Sequence, residues 1–280
     1  MDVAEVLSER WDLEPVRLEV LTGGMNSTAW LAAADGWRVV LKSVDAGDSA
    51  FAPGLELAAR LDDAGVITGR PRPSTRGRLV EYVEDRQIAV LEYVDGVPLT
   101  SADAAAIGTV LGRVHTVSAA EPGNLDDWLH LVTQFDKYLD LEPWIRPAVE
   151  GALDGVKVLD GLSWAWLHGD PSAEAFLRQS NGEVALIDWG SAMYAPILYD
   201  VASAVMYTGK PDHLVPAYLD RRPNLAAELE RGLTPFLHLR WAVQAAYFAW
   251  RCTQDIRTGI TNPAENHKGL SDARRSFESA

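Results

Sequence analysis

Leu167-His168-Gly169-Asp170 and, eighteen residues after Asp170, Asp188 within Ile187-Asp188-Trp189-Gly190 decide how this chain is read. Between them Ala175-Phe176-Leu177 is apolar, Gln179-Ser180-Asn181-Gly182 is a turn sequence, and Val184-Ala185-Leu186-Ile187 is apolar and partly β-branched. The pattern predicts a strand, a turn and a returning strand, which brings the second motif back toward the first. Two carboxylates so spaced suit phosphoryl transfer. One must lie beside the attacking hydroxyl, and the other must hold magnesium on the nucleotide phosphates.

Outward from these motifs the chain changes character once. Before them, Val16-Arg17-Leu18-Glu19-Val20 alternates as a strand, Thr22-Gly23-Gly24-Met25-Asn26 breaks it, and Asp35-Gly36 separates two further extended runs, the second being Trp37-Arg38-Val39-Val40-Leu41-Lys42. A helix over 55–64 and strands over 79–83 and 88–94 complete a first region read as strands with one helix. Beyond Asp95-Gly96 the periodicity is helical: 104–115 with Asp103 as N-cap, then 128–141, 145–159, 199–207, 214–219, 225–233 and 236–250. From Thr258 the chain is polar and reads as a flexible tail or a short docking helix. The expected division is a nucleotide-binding lobe over 1–95 and a helical lobe over 96–280 that carries the catalytic loop and the acceptor site.

Composition narrows the partners. A 280-residue chain, 48% hydrophobic, has room for one large domain or two lobes. The single cysteine, Cys252, excludes an internal disulfide framework and suits a reducing cytoplasm. Met1 is followed by Asp2 and Glu5 without a basic or apolar leader pattern, and no run of about 18 apolar residues spans a membrane. The expectation is a cytoplasmic protein, monomer or homodimer. A net charge of −15 argues against nucleic acid as a partner. Either it solubilises the surface or it draws a cationic small molecule toward an acidic cleft.

Gly23-Gly24-x-Asn26, Lys42, His168-Gly169-Asp170, Asp188-Trp189-Gly190 and Tyr199-Asp200-Val201-Ala202 together resemble the aminoglycoside phosphotransferase / choline kinase-like family of small-molecule kinases. Leu111-Gly112-Arg113-Val114-His115 is similar to the helix preceding that family's central region. The resemblance implies a two-lobed α+β protein kinase-like fold, with an antiparallel β small lobe and a mainly helical large lobe. It implies ATP or GTP with Mg²⁺ as cofactors. It implies that Asp170 is the catalytic carboxylate. Because a carboxylate is a weak base for an alcohol, its main work is to orient the acceptor hydroxyl and take its proton late. The resemblance implies Asp188 as the metal ligand. Lys42 lays its stem along an apolar strand and presents its ammonium to the phosphates, with Glu56 as ion-pair partner. The resemblance further implies that Gly24, Asn26 and Ser27 belong to the phosphate turn and that the backbone of Glu92 and Val94 binds the purine.

The chain departs from the family at one position: Ala175 stands where a second metal-ligating asparagine is usual. Glu174 is adjacent and could supply a hard oxygen, although a one-residue shift on extended chain points the opposite way. His168 reads as a satisfied core histidine, and Ser172 has no nucleophile context. Trp128, Trp144, Trp241 and Trp250, with Asp126, Asp127 and Asp136, are candidates to border an acceptor cleft, none of them singled out as a contact. The expected activity is O-phosphorylation of a small, amine-bearing acceptor. An antibiotic-modifying kinase is the leading form, a kinase for an amino alcohol, amino acid or amino sugar (homoserine, choline or glucosamine type) the second, and a nucleotide-binding pseudokinase the third.

Overall fold

The computed structural model describes residues 1–21, 27–130, 134–260 and 262–278. The chain forms two compact units: Met1–Leu99 with Glu174–Met193, and Thr100–Ala173 with Tyr194–Ala280. The expected boundary after residue 95 therefore misses an exchange of chain. The segment bearing Asp188 belongs with the first unit, because Phe176–Arg178 pairs with Val97–Pro98 and with the returning strand Val184–Leu186.

In the first unit, helix α1 (Val3–Trp11) precedes strands β1 (Arg17–Leu21), β2 (Thr28–Ala34) and β3 (Trp37–Asp45). Helix α2 (Phe51–Asp63) follows, then β4 (Pro71–Arg72), β5 (Glu81–Val83) and β6 (Arg86–Glu92). The six strands form one antiparallel sheet in the order β1-β2-β3-β6-β4, with β5 also on β6. Side chains alternate across it. Val39, Leu41, Ile88 and Val90 pack with Val6, Leu7 and Trp11 of α1. Val44, Ala89 and Leu91 pack with Phe51 and Leu55 of α2. Lys42, paired in register with Ala89, takes the α2 side of this alternation.

Helix α1 corrects the expectation of a single helix in this region. Its signals are local: Asp2 caps it by accepting the Ala4 and Glu5 N–H groups, and Val3, Val6 and Leu7 recur at helical spacing.

The second unit is helical apart from short strands, among them the antiparallel pair Ala119–Ala120 and Trp164–Leu167. The helix Ala104–Val117 packs on Pro211–Leu219, and the long helix Ala226–Thr253 packs on Ile145–Lys157, Leu198–Thr208 and Ala264–Glu278. The two helices expected over 225–233 and 236–250 are one, which carries Pro235 in its interior. The polar end is the docked helix Ala264–Glu278, in which Asn266, Gly269, Leu270 and Ala273 are buried. From residue 134 on, the expected helix over 128–141 gives way to turns; residues 131–133 lie outside the described residues. The described residues give Leu125–Trp128 and a 3₁₀ turn at Asp136–Tyr138. At that turn Arg146 gathers Asp136 (2.7 Å), the Asp136 carbonyl (3.1 Å) and Asp140 (2.7 Å) around one guanidinium.

Candidate active site

In the first unit, Lys42 Nζ donates to Asp188 Oδ1. Lys42 is 15% exposed, with its stem on the sheet, while the Asp188 carboxylate is half-exposed. The lysine is thus paired with the metal-ligand candidate rather than with Glu56, which lies exposed on α2. Asp188 adopts a left-handed backbone (φ 69°), a conformation that aspartate tolerates better than most residues. The turn that follows it is anchored by burial of Trp189, whose Nε1 donates to Leu186 O at 2.9 Å. Helix α2 approaches this turn so closely that a Cβ on Gly54 would lie 2.1 Å from Trp189 O. Glycine at position 54 is a packing requirement.

Glu174 lies in the 3₁₀ turn Ala173–Ala175 and is exposed. The chain here is turned rather than extended, so the alternation of an extended strand does not apply to Glu174. Ile187 N–H donates to Ala175 O at 2.9 Å, one step beyond the Phe176–Leu186 pair. Glu174 and Asp188 therefore flank one inter-strand hydrogen bond. Ala175 itself is buried.

At the end of β6, Glu92 N–H donates to Arg70 O at 2.9 Å, and the Glu92 carbonyl faces Gly69. A Cβ at position 69 would stand 3.2 Å from that oxygen and 3.4 Å from Val94 Cγ2. The glycine leaves the carbonyl edge of Glu92 clear. Ser27 lies just before β2, whereas Gly24 and Asn26 lie outside the described residues.

In the second unit, Asp170 belongs to a turn held from beneath by Asp200. That carboxylate is fully buried and accepts from His168 N (2.8 Å), Gly169 N (2.8 Å) and His115 Nε2 (3.2 Å). Burial pushes the Asp200 carboxyl up. The hydrogen bond and charge of His115, the charge of His168 and the Gly169 amide more than offset it and hold the group below the usual carboxylate range. His115 Nδ1 in turn meets Tyr218 Oη at 3.0 Å. His168 is buried, as read from the sequence, and the Asp170 N–H donates to its Nδ1 at 3.4 Å.

Two residues beside Asp170 escaped the sequence reading. Tyr207 Oη donates to Asp170 Oδ1 at 2.5 Å, and Arg240 Nη2 lies 3.5 Å from the same oxygen. Tyr207 is 38% exposed, but desolvation around its hydroxyl and the charge of Asp170 push the phenol above its ordinary range, so it remains a protonated donor. Burial pulls Arg240 down, but Tyr199, Tyr207 and Asp170 more than offset it and the guanidinium stays a cation. Its signal in the sequence is a charged residue inside the apolar run Phe236-Leu237-His238-Leu239-Arg240-Trp241-Ala242, since a buried arginine needs partners.

The tryptophans named above mostly pack. Trp128 is buried, edge-on to Tyr199 at 5.2 Å and stacked on Phe236 at 6.1 Å. Trp144 lies against Phe277, and Trp250 against Phe135 and Tyr247. Asp136 is already paired with Arg146.

No helix among the described residues is long and apolar enough to cross a membrane. A family model described as a phosphotransferase enzyme family matches residues 17–233. An uncharacterized protein of Deinococcus radiodurans is 30% identical over 260 residues, covering 81% of this chain and 75% of its own length. A homoserine kinase of Caulobacter vibrioides is 24% identical over 216 residues, covering 71% of this chain and 68% of its own. Among solved structures, a microcompartment-associated aminopropanol kinase superposes with a TM-score of 0.74 at 19% identity, over 97% of this chain and 94% of that one. A spectinomycin phosphotransferase crystallised with ADP and spectinomycin superposes with a TM-score of 0.70 at 16% identity, over 98% and 93%.

Proposed function

Given that the chain belongs to the phosphotransferase enzyme family and is a small-molecule kinase, we propose that it transfers the γ-phosphoryl group of ATP to a hydroxyl of a small, amine-bearing acceptor. One observation carries the reading. Asp170 is presented on a turn whose backbone is fixed by a buried carboxylate, while Lys42 and Asp188 are paired in the unit that holds the antiparallel sheet. Those are the charges phosphoryl transfer needs: a cation for the phosphates, a hard oxygen for the metal, and an acceptor of the nucleophile's hydrogen bond.

The residues present fit a magnesium ion. Asp188 and Glu174 flank one hairpin bond, and no group of three or more His, Cys, Asp or Glu among the described residues forms a cage. Magnesium commonly takes one or two carboxylates and completes its shell with phosphates and water. Asp188 and Glu174 would hold it. When bound, it offsets the charge that develops on the transferring phosphoryl group. Lys42 then binds phosphate oxygens, the Glu92 carbonyl and Val94 amide take the purine edge, and Ser27 adds a contact beside Gly24 and Asn26. Asp170 aligns the acceptor oxygen and accepts its proton, with in-line transfer and no covalent enzyme intermediate.

The first acceptor class is an aminated antibiotic, in keeping with the spectinomycin enzyme among the structural neighbours. A metabolic amino alcohol or hydroxy amino acid is the second, and the Caulobacter homoserine kinase favours it. Homoserine, aminopropanol and choline share with aminated antibiotics a hydroxyl and a nitrogen in one small molecule. The test is acceptor-dependent release of ADP from MgATP, or GDP from MgGTP. The panel is spectinomycin, hygromycin B, L-homoserine, 1-amino-2-propanol, choline and glucosamine, with Asp170→Ala as control. Turnover with one acceptor, lost in the variant, supports the reading and names the class. Nucleotide binding without turnover across the panel would replace it with a nucleotide-binding protein that does no chemistry.

A further inference from the structure

The two oxygens of Asp170 are not equivalent. Oδ1 takes the Tyr207 hydroxyl at 2.5 Å and faces Arg240 Nη2 at 3.5 Å. Oδ2 makes no hydrogen bond among the described residues, and the carboxylate is 49% exposed. Arg240 is itself fixed. It is 8% exposed, its Nη1 donates to Tyr199 Oη at 2.9 Å, and its guanidinium carbon lies 5.0 Å from the Tyr199 ring centroid.

We propose that Tyr207 and Arg240 are positioning residues that commit Oδ1 to the protein and leave Oδ2 as the atom that meets the acceptor hydroxyl. The proposal rests on the phosphotransferase reading of Asp170. The terminal torsion of an aspartate is broad and two-fold, so an untethered carboxylate would present either oxygen through a wide arc. Tethering one oxygen from two different helices, Leu198–Thr208 and Ala226–Thr253, removes that freedom. Transfer depends on such alignment, and a misplacement of 1 Å costs about 10²-fold in rate. Arg240 has a second effect. Its charge offsets that of Asp170, so the carboxylate serves as an aligned hydrogen-bond acceptor rather than as an anchor for an acceptor's ammonium group.

Two experiments decide it. The first needs no acceptor: a thermal-unfolding double-mutant cycle over Tyr207→Phe and Asp170→Ala. Non-additive melting shifts are expected, and strict additivity overturns the pairing. The second measures ADP release from MgATP with the same acceptor panel. Tyr207→Phe should lower kcat about tenfold and Arg240→Ala about 10²-fold, with KM for MgATP unchanged. Arg240→Lys keeps the charge without the fork and should fall between; added guanidinium should partly restore Arg240→Ala. If Tyr207→Phe turns over faster than the wild type, Tyr207 competes with the acceptor and the proposal is wrong. It is equally wrong if the variants change only KM. A wild type silent on every acceptor, with a non-additive cycle, removes the phosphotransferase reading and leaves the pairing; turnover with an additive cycle does the reverse.

Discussion

Asp200 and His115 face each other at 3.2 Å with neither side chain exposed, and the same carboxylate holds the backbone of His168 and Gly169. Its folded-state pKa is depressed. Such a group contributes stability that is present above its unfolded value of about 4 and is lost as pH falls through the lower folded value. Asp200→Asn should therefore be less stable than the wild type near pH 7, by about 3 kcal/mol for breaking a buried pair. The gap should close below about pH 4. Glu81, also held below its usual range by Ser74 and Arg76 despite burial, keeps some acid sensitivity in the variant. Urea midpoints across pH 2.5 to about 7 read this directly; parallel curves for the two proteins would refute the assignment.

The Lys42–Asp188 pair makes different demands of its members. Lys42→Met should raise KM for MgATP and lower kcat, because the phosphates lose a cation. Asp188→Asn should lose most magnesium-dependent turnover while still binding nucleotide. Losses of about 10²- to 10³-fold are expected for a charge aimed at the transferring group. Titrating ADP and MgADP against tryptophan fluorescence separates the cases: the Asp188 variant should bind both alike. A variant that keeps the wild-type preference for the magnesium complex would remove Asp188 from that role.

Much of this arrangement is legible from local sequence. Alternation, turn glycines and short motifs are near-neighbour properties, and they mark β3, the hairpin after Asp170, Lys42 and both aspartates. Asp200 lies inside a recognised run, but its grip on His168 and Gly169 depends on the fold. What stays hidden depends on contacts distant in sequence. Arg240 meets Asp170 across seventy residues. Glu56 looks like the natural partner for Lys42, yet the hairpin returns Asp188 to that ammonium. Pro235 suggests a break, but helix packing on several sides carries the chain through it.

Gly54 offers a test of how tightly the Asp188 turn is clamped. A methyl group there meets backbone, Trp189 O, which cannot rotate away. Gly54→Ala should lose about 1–3 kcal/mol through overpacking, and activity with it if the turn shifts. Gly151, within Ile145–Lys157, faces open space, and a methyl group added to it would meet no atom within 4 Å. Gly151→Ala should gain up to about 1 kcal/mol from helix propensity. Chemical denaturation of both variants gives the contrast. Equal shifts would mean that the close approach of α2 to Trp189 does not constrain the turn.

Ala175 carries no metal-binding group at the position where the resemblance implies an asparagine, and Glu174 stands next to it on a turn rather than a strand. The hydrogen bond from Ile187 to Ala175 sets the backbone of Glu174 next to that of Asp188, which makes its carboxylate the candidate to test as a second oxygen ligand. Glu174→Gln keeps the size and removes the charge. It should raise the magnesium concentration for half-maximal turnover about tenfold, with little change in KM for the acceptor. Ala175→Asn should recover part of that loss in the Glu174→Gln background. It should add little to the otherwise unchanged chain, where the site is already served. An unaltered magnesium dependence in Glu174→Gln would show that Asp188, phosphates and water suffice.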